Sequence, residues 1–122
     1  MNFIKQMPRE IYIDGEREGC TIWTDTREIF SIRGNALETC NMIRNLVLHD
    51  IENEETGEVI VKQNIKVYID RFPYYIGDCL KDMGVKFELI KDGSWLAEHM
   101  KIYRKSKVSY EDFMYFKNNM KE

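Results

Sequence analysis

The residues best suited to nucleophilic or general-base chemistry are few and scattered: the thiols Cys20, Cys40 and Cys79 and the imidazoles His49 and His99. A reactive thiol needs a histidine or another cation beside it in space. His49 precedes Asp50, which can orient a base, and Cys40, Cys79 or Ser94 can stand as the nucleophile; His99 follows Glu98. None of the patterns that make such groups converge is present. The chain has no Cys-x-x-Cys pair, no nucleophile elbow, no glycine-rich phosphate loop and no His-Glu-x-x-His. The thiols therefore read as small buried hydrophobes in a reducing compartment, and the histidines as surface or helix-end residues. The expectation is a protein that binds rather than catalyses, with no cofactor and no metal.

The most charged window, Asp50-Ile-Glu-Asn-Glu-Glu-Thr-Gly-Glu58, has the carboxylates of a calcium loop but not its layout. A loop starting at Asp50 needs its glycine two residues before Gly57 and a glutamate where Val61 stands. The window reads instead as a hairpin tip that presents Glu54 and Glu55 to a partner. Glu55-Thr-Gly-Glu58 resembles the short degron that a Kelch propeller recognises in an antioxidant-response transcription factor; the likeness covers one turn, and no function is carried over from it.

Two other sets of residues can contact a macromolecule. Trp23, Tyr68 and Tyr74, with Tyr12, are aromatics placed where a sheet face or helix start can expose them, and exposed tyrosine and tryptophan favour protein interfaces. Lys101, Tyr103, Arg104, Lys105 and Lys107 interleave cations with a ring, a pattern that suits the phosphates and bases of single-stranded nucleic acid. Glu98, Glu111 and Asp112 interrupt that basic stretch, so nucleic acid is the second choice.

These residues must be held by a small α+β architecture. Glu10–Asp14, Cys20–Trp23 and Glu28–Arg33 read as a three-strand meander, with the first turn at Asp14-Gly15. Asn35 and Glu38 form a capping box, and Ala36, Cys40, Ile43 and Val47 recur at helical spacing. From 59 to 70 the chain alternates, with Val59, Val61, Ile65, Val67 and Ile69 among the odd positions and Ile60, Lys62, Lys66 and Tyr68 among the even ones. That predicts one long strand with one dry face, paired across the Glu54–Gly57 turn with Leu48–Glu52. Pro73 opens a helix carrying Phe72, Ile76, Cys79, Leu80 and Met83, which Gly84 ends. Val85, Phe87 and Leu89 then alternate inward on a strand. Residues 94 to 104 are helix or return strand, and Ser109 caps a last helix carrying Phe113, Phe116 and Met120.

Length and composition fit one domain of this kind. The chain has 43% hydrophobic and 32% charged residues and a net charge of -3, which excludes wholesale disorder. Residues 1 to 61 hold 6 basic and 12 acidic side chains, and 62 to 122 hold 12 and 9. That polarity can orient a partner or drive self-association. There is no apolar run of membrane-spanning length and no secretory leader, so a cytoplasmic location away from membranes is expected. The abundance of Ile, Lys, Asn, Tyr and Phe reflects AT-rich codons, as in a low-GC bacterium or a phage or mobile element of one. The sequence thus predicts a mostly antiparallel sheet of about five strands, helices on one face and a helical C-terminus. Its expected role is a non-enzymatic protein-binding module, a regulator or inhibitor able to form homo-oligomers, with a nucleic-acid-binding accessory protein as the alternative.

Overall fold

A computed structural model describes residues 7–70, 74–90 and 108–119. Inward-facing Ile11 and Ile13, Cys20 and Ile22, and Phe30 and Ile32 draw β1 (Glu10–Glu16), β2 (Gly19–Thr24) and β3 (Ile29–Arg33) into an antiparallel meander. The first turn falls at Arg17 and Glu18, not at Asp14-Gly15, which lie within β1 opposite Thr21 and Cys20. Register explains the shift. Gly19 sits opposite Arg33 with φ +128°, and a Cβ there would lie 1.9 Å from the Ile32 carbonyl oxygen. Only glycine fits that approach, so the strands run on until they reach it.

Asn35 caps α1 (Ala36–Val47): its side chain accepts from the Glu38 N–H, and the Glu38 carboxylate accepts from the Asn35 N–H. The helix buries Thr39, Cys40, Ile43, Leu46 and Val47, and passes directly into β4 (Leu48–Glu52). The alternating stretch from 59 to 70 is not one strand. It divides at Asn64 and Ile65 into β5 (Val59–Gln63), which among the described strands pairs with β4 alone, and β6 (Lys66–Asp70), which pairs with β1 and β7. After the bend, α2 (Tyr74–Asp82) and β7 (Phe87–Ile90) complete a strand–helix–strand unit with β6 and β7 parallel. α3 (Tyr110–Asn119) closes the described chain, with Ser109 Oγ accepting from the Asp112 N–H.

The main sheet has the order β3-β2-β1-β6-β7. It is mixed: the meander pairs antiparallel, whereas β1 with β6 and β6 with β7 pair parallel. The class is α+β with a helical C-terminus. The three described helices feed one core cluster, in which Ile43 of α1, Ile76 and Leu80 of α2 and Phe113 of α3 meet Ile11, Ile22, Phe30, Val67 and Ile69. Phe30 and Phe113 stack with centroids 5.2 Å apart and fix α3 over β3. On the other face, Tyr12 is fully buried among Trp23, Ile29, Tyr68 and Ile90. The expectation that Tyr12 lies exposed is therefore corrected: it is part of a packed cluster, with Trp23 and Tyr68 half-buried beside it. Leu89 also departs from expectation. It lies on the core side, opposite Ile69, but at the sheet edge it remains 56% exposed. Residues 94–104 and the side chains of Phe72 and Met120 lie outside the described residues.

Candidate functional site

The β4–β5 ribbon stands apart from the five-stranded sheet. Its register pairs Leu48 with Gln63, Asp50 with Val61, Ile51 with Ile60 and Glu52 with Val59. Paired residues share a face, so Val59 and Val61 lie on one side and Ile51 and Ile60 on the other. All four are about half exposed, between 46% and 56%. A two-stranded ribbon with half-exposed apolar side chains on both faces is marginal alone in water. Single exposed hydrophobes are common on protein surfaces, as with Leu37 on α1 and Tyr115 on α3. The β4–β5 ribbon carries four, two on each face, and exposed apolar groups gathered on one element are candidates for contact with another surface.

The tip of this arm is closed by a set of turn hydrogen bonds. The Asn53 N–H donates to Glu58 O at 2.8 Å and the Gly57 N–H to Asn53 O at 2.8 Å. Asn53 Oδ1 accepts from the Glu55 and Thr56 N–H groups, and Thr56 Oγ1 from that of Glu58. Gly57 takes the positive φ of +72° that the turn requires. Glu54 and Glu55, expected as contact residues, are exposed on this tip. The base is tied to the body at two places. Gln63 acts like a strand neighbour, its Oε1 accepting from the Lys86 N–H and its Nε2 donating to Lys86 O, both at 2.8 Å. Lys117 of α3 donates to the carbonyls of Asn45 and Leu48, closing the end of α1 and the start of β4. Burial lowers the Lys117 ammonium from 10.5 to about 8, against a raising influence from Asp50.

Beside the base opens a cleft of 740 Å³ bordered by Arg9, Arg44, Lys62, Lys66 and Lys86, with no carboxylate among the described residues of its lining. Lys66 is already engaged: its ammonium lies 3.7 Å from Glu88 and 5.1 Å from the Tyr68 ring centre. The arm therefore runs from a cationic base to an anionic tip. Neither the cleft nor the apolar arm was among the residues expected to make contacts. The five cations come from distant parts of the chain and meet only through the fold. One signal for the arm did exist: Val59-Ile60-Val61 is a run of three apolar residues, and Ile60 breaks the wet side of the alternation.

All three cysteines are free thiols, Cys20 and Cys40 buried and Cys79 half-buried. Burial, the largest cause for both, pushes Cys20 and Cys40 up to about 12 from 9.0, with a nearby thiol adding to the effect in each case. Cys40 Sγ also donates to Ile76 O at 3.8 Å. Glu28 is buried in the β2–β3 turn, where one oxygen accepts from the Thr26 hydroxyl and burial raises the carboxyl group's pKa. No group of three or more potential metal ligands occurs among the described residues, and none of their helices is long and apolar enough to cross a membrane. Trp23 and Tyr68 share the second sheet face, away from the core. Tyr74 begins α2, but its side chain lies outside what the structure describes, as do Lys101, Tyr103, Arg104, Lys105, Lys107 and His99. Comparison of the chain with protein-family models, with curated proteins and with solved structures finds no match.

Proposed function

We propose that the chain is a non-enzymatic protein-binding module that docks through the β4–β5 arm. The observation that carries this reading is the exposure of Ile51, Val59, Ile60 and Val61 on a ribbon outside the core. The acidic tip favours a partner surface with basic groups around an apolar patch. A regulator or inhibitor, including one carried by a phage or mobile element, fits a small scaffold presenting such an arm. The high pKa of Cys20 and Cys40 argues against those two thiols as nucleophiles.

The test is capture of binding partners by the tagged chain, with and without nuclease, alongside an Ile60→Lys/Val61→Lys variant. Both positions are half exposed, so the variant should keep the parent's circular dichroism and stability to within about 1 kcal/mol. Stoichiometric protein recovered by the parent after nuclease, and lost by the variant, is the expected result. Equal recovery by both would overturn the arm as the docking element. The five cations that border the cleft favour one second reading, contact with nucleic-acid phosphates. On that reading, Arg9→Ala/Arg44→Ala should lower both the affinity for single-stranded oligonucleotides and its salt dependence.

A further inference from the structure

We propose that the occupant of the arm is a second copy of this chain, with two β5 edges pairing antiparallel about a two-fold axis and each acidic tip resting in the other copy's basic cleft. This rests on the reading of β4–β5 as a docking element and names its partner.

The free edge belongs to β5. Asn53 bonds to Glu58 at one end of the ribbon and the Asn64 N–H donates to Val47 O at the other. Antiparallel bonding alternates along the strand. Ile60 and Lys62 therefore turn their main-chain groups towards β4, and Val59 and Val61 turn theirs outward. The edge of β4 is occupied at its base, where the Leu48 N–H donates to Arg44 O and Leu48 O accepts from Lys117. An edge of unpaired N–H and C=O groups carrying valines is a template for another strand. Pairing β5 with its own copy makes a four-stranded ribbon, above the size at which such a sheet holds together in water.

Charge selects the partner and the direction. The tip carries Glu54, Glu55 and Glu58 and no cation. Among the cations of the cleft, Arg9, Arg44, Lys62 and Lys86 have no ion-pair partner among the described residues. Tip and base are about five residues apart, or ~17 Å along a strand. Two arms laid antiparallel bring each tip to the other base, so opposite charges meet at both ends. A parallel arrangement would set tip on tip and base on base, which repel. The antiparallel contact is also self-complementary, as a closed two-fold interface requires. Val61 of each copy lies near the axis, with the Val59 side chains on the same face.

Sedimentation and light scattering of three forms test this. The parent should run at twice the mass of the chain and dissociate as salt is raised. A tip variant, Glu54→Lys/Glu55→Lys/Glu58→Lys, and a cleft variant, Arg9→Glu/Arg44→Glu/Lys86→Glu, should each weaken self-association at least about tenfold, because each faces like charge. Mixed in equal amounts, they should re-form a dimer containing one of each, which two misfolded proteins would not do. Val61→Pro removes an N–H that β4 does not use, and should give a monomer with parent-like circular dichroism. A parent that stays monomeric at hundreds of micromolar overturns the proposal, as does a mixture that fails to associate. Open, growing assemblies overturn the two-fold. Mass that vanishes with nuclease assigns the cleft to nucleic acid instead. If the parent is monomeric but loses a foreign protein partner on Ile60→Lys/Val61→Lys, the arm remains a docking element and only the self-pairing fails.

Discussion

Val67 and Ile69 of β6 are buried in the core cluster with α1 and α2, whereas Val59 and Val61 of β5, six to ten residues earlier in the same alternating stretch, stay half exposed. The two segments have similar composition and period. What separates them is the bend at Asn64 and Ile65, which hands β6 to the five-stranded sheet and pairs β5 with β4 in a separate ribbon. Alternation states that one side of a strand is apolar; it does not say that anything will cover that side. Where helices cover it, the residues hold the fold together, and where nothing does, they are available to another surface.

The comparison is broken most severely by substitutions in the core. Ile43→Ala, at a fully buried position facing the sheet, should cost about 2–5 kcal/mol in urea unfolding. Val61→Ala on the arm should stay within about 0.5 kcal/mol, as exposed positions do. Similar losses at both would mean that the arm belongs to the core. The glycines give a smaller contrast. Gly19→Ala drives a Cβ into the Ile32 carbonyl and should destabilise by about 1–3 kcal/mol. Gly57→Ala has nothing within 4 Å and loses only the glycine's ease at positive φ, about 1–2 kcal/mol; Gly57→Asn should recover part of that.

Thiol chemistry sharpens the same division. Cys20 and Cys40 should resist alkylation at pH 8 until denaturant is added, while a thiol placed on the arm by Val61→Cys should react at once. Their stability contribution follows from the sign of the shift. Both thiols ionise near 9.0 in the unfolded chain and near 12 in the folded one. Their contribution is complete below pH 9 and is lost as pH rises towards 12. A Cys20→Ala/Cys40→Ala variant should therefore lose less stability between pH 9 and pH 11 than the parent does, as read from the urea midpoint. The smallest effect is expected at the arm's base. Lys117 is lowered to about 8 in the fold from 10.5, so its buried charge opposes folding below pH 8 and is progressively relieved between pH 8 and 10.5. The urea midpoint of Lys117→Met relative to the parent should fall over that interval; no change in the difference would mean that the ammonium is not buried at the cost of its charge.

The elements set by local chemistry were legible in the sequence. The Asn35–Glu38 capping box, the positive φ of Gly57 and the serine cap at Ser109 are short-range devices that act wherever the chain carries them. The capped helices and the meander follow from them and from the period of the apolar residues. What depended on distant partners was not legible. Nothing local marks where an alternating stretch changes sheets, so the break at Asn64 was hidden. The end of β1 was fixed by the approach of Gly19 to Ile32, not by the stronger turn signal at Asp14-Gly15. Tyr12 looked exposable because its neighbours alternate, yet it is enclosed by Trp23, Ile29, Tyr68 and Ile90 from four other strands. Of the candidate contacts, Glu54 and Glu55 lie on an exposed tip as anticipated. The cationic cleft could not be foreseen, because Arg9, Arg44, Lys62 and Lys86 come together only once β1, α1, β5 and β7 are in place.

The most direct measurement is residue-resolved amide hydrogen exchange in dilute solution. The Val59 and Val61 amides should exchange freely, those of Ile60 and Lys62 should be weakly protected by β4, and those of Ile13 and Ile69 should exchange only through global unfolding. Core-level protection of Val59 and Val61 in the dilute monomer would contradict the docking role of the arm, because the edge would then be covered from within the chain and the arm would have nothing to offer a partner.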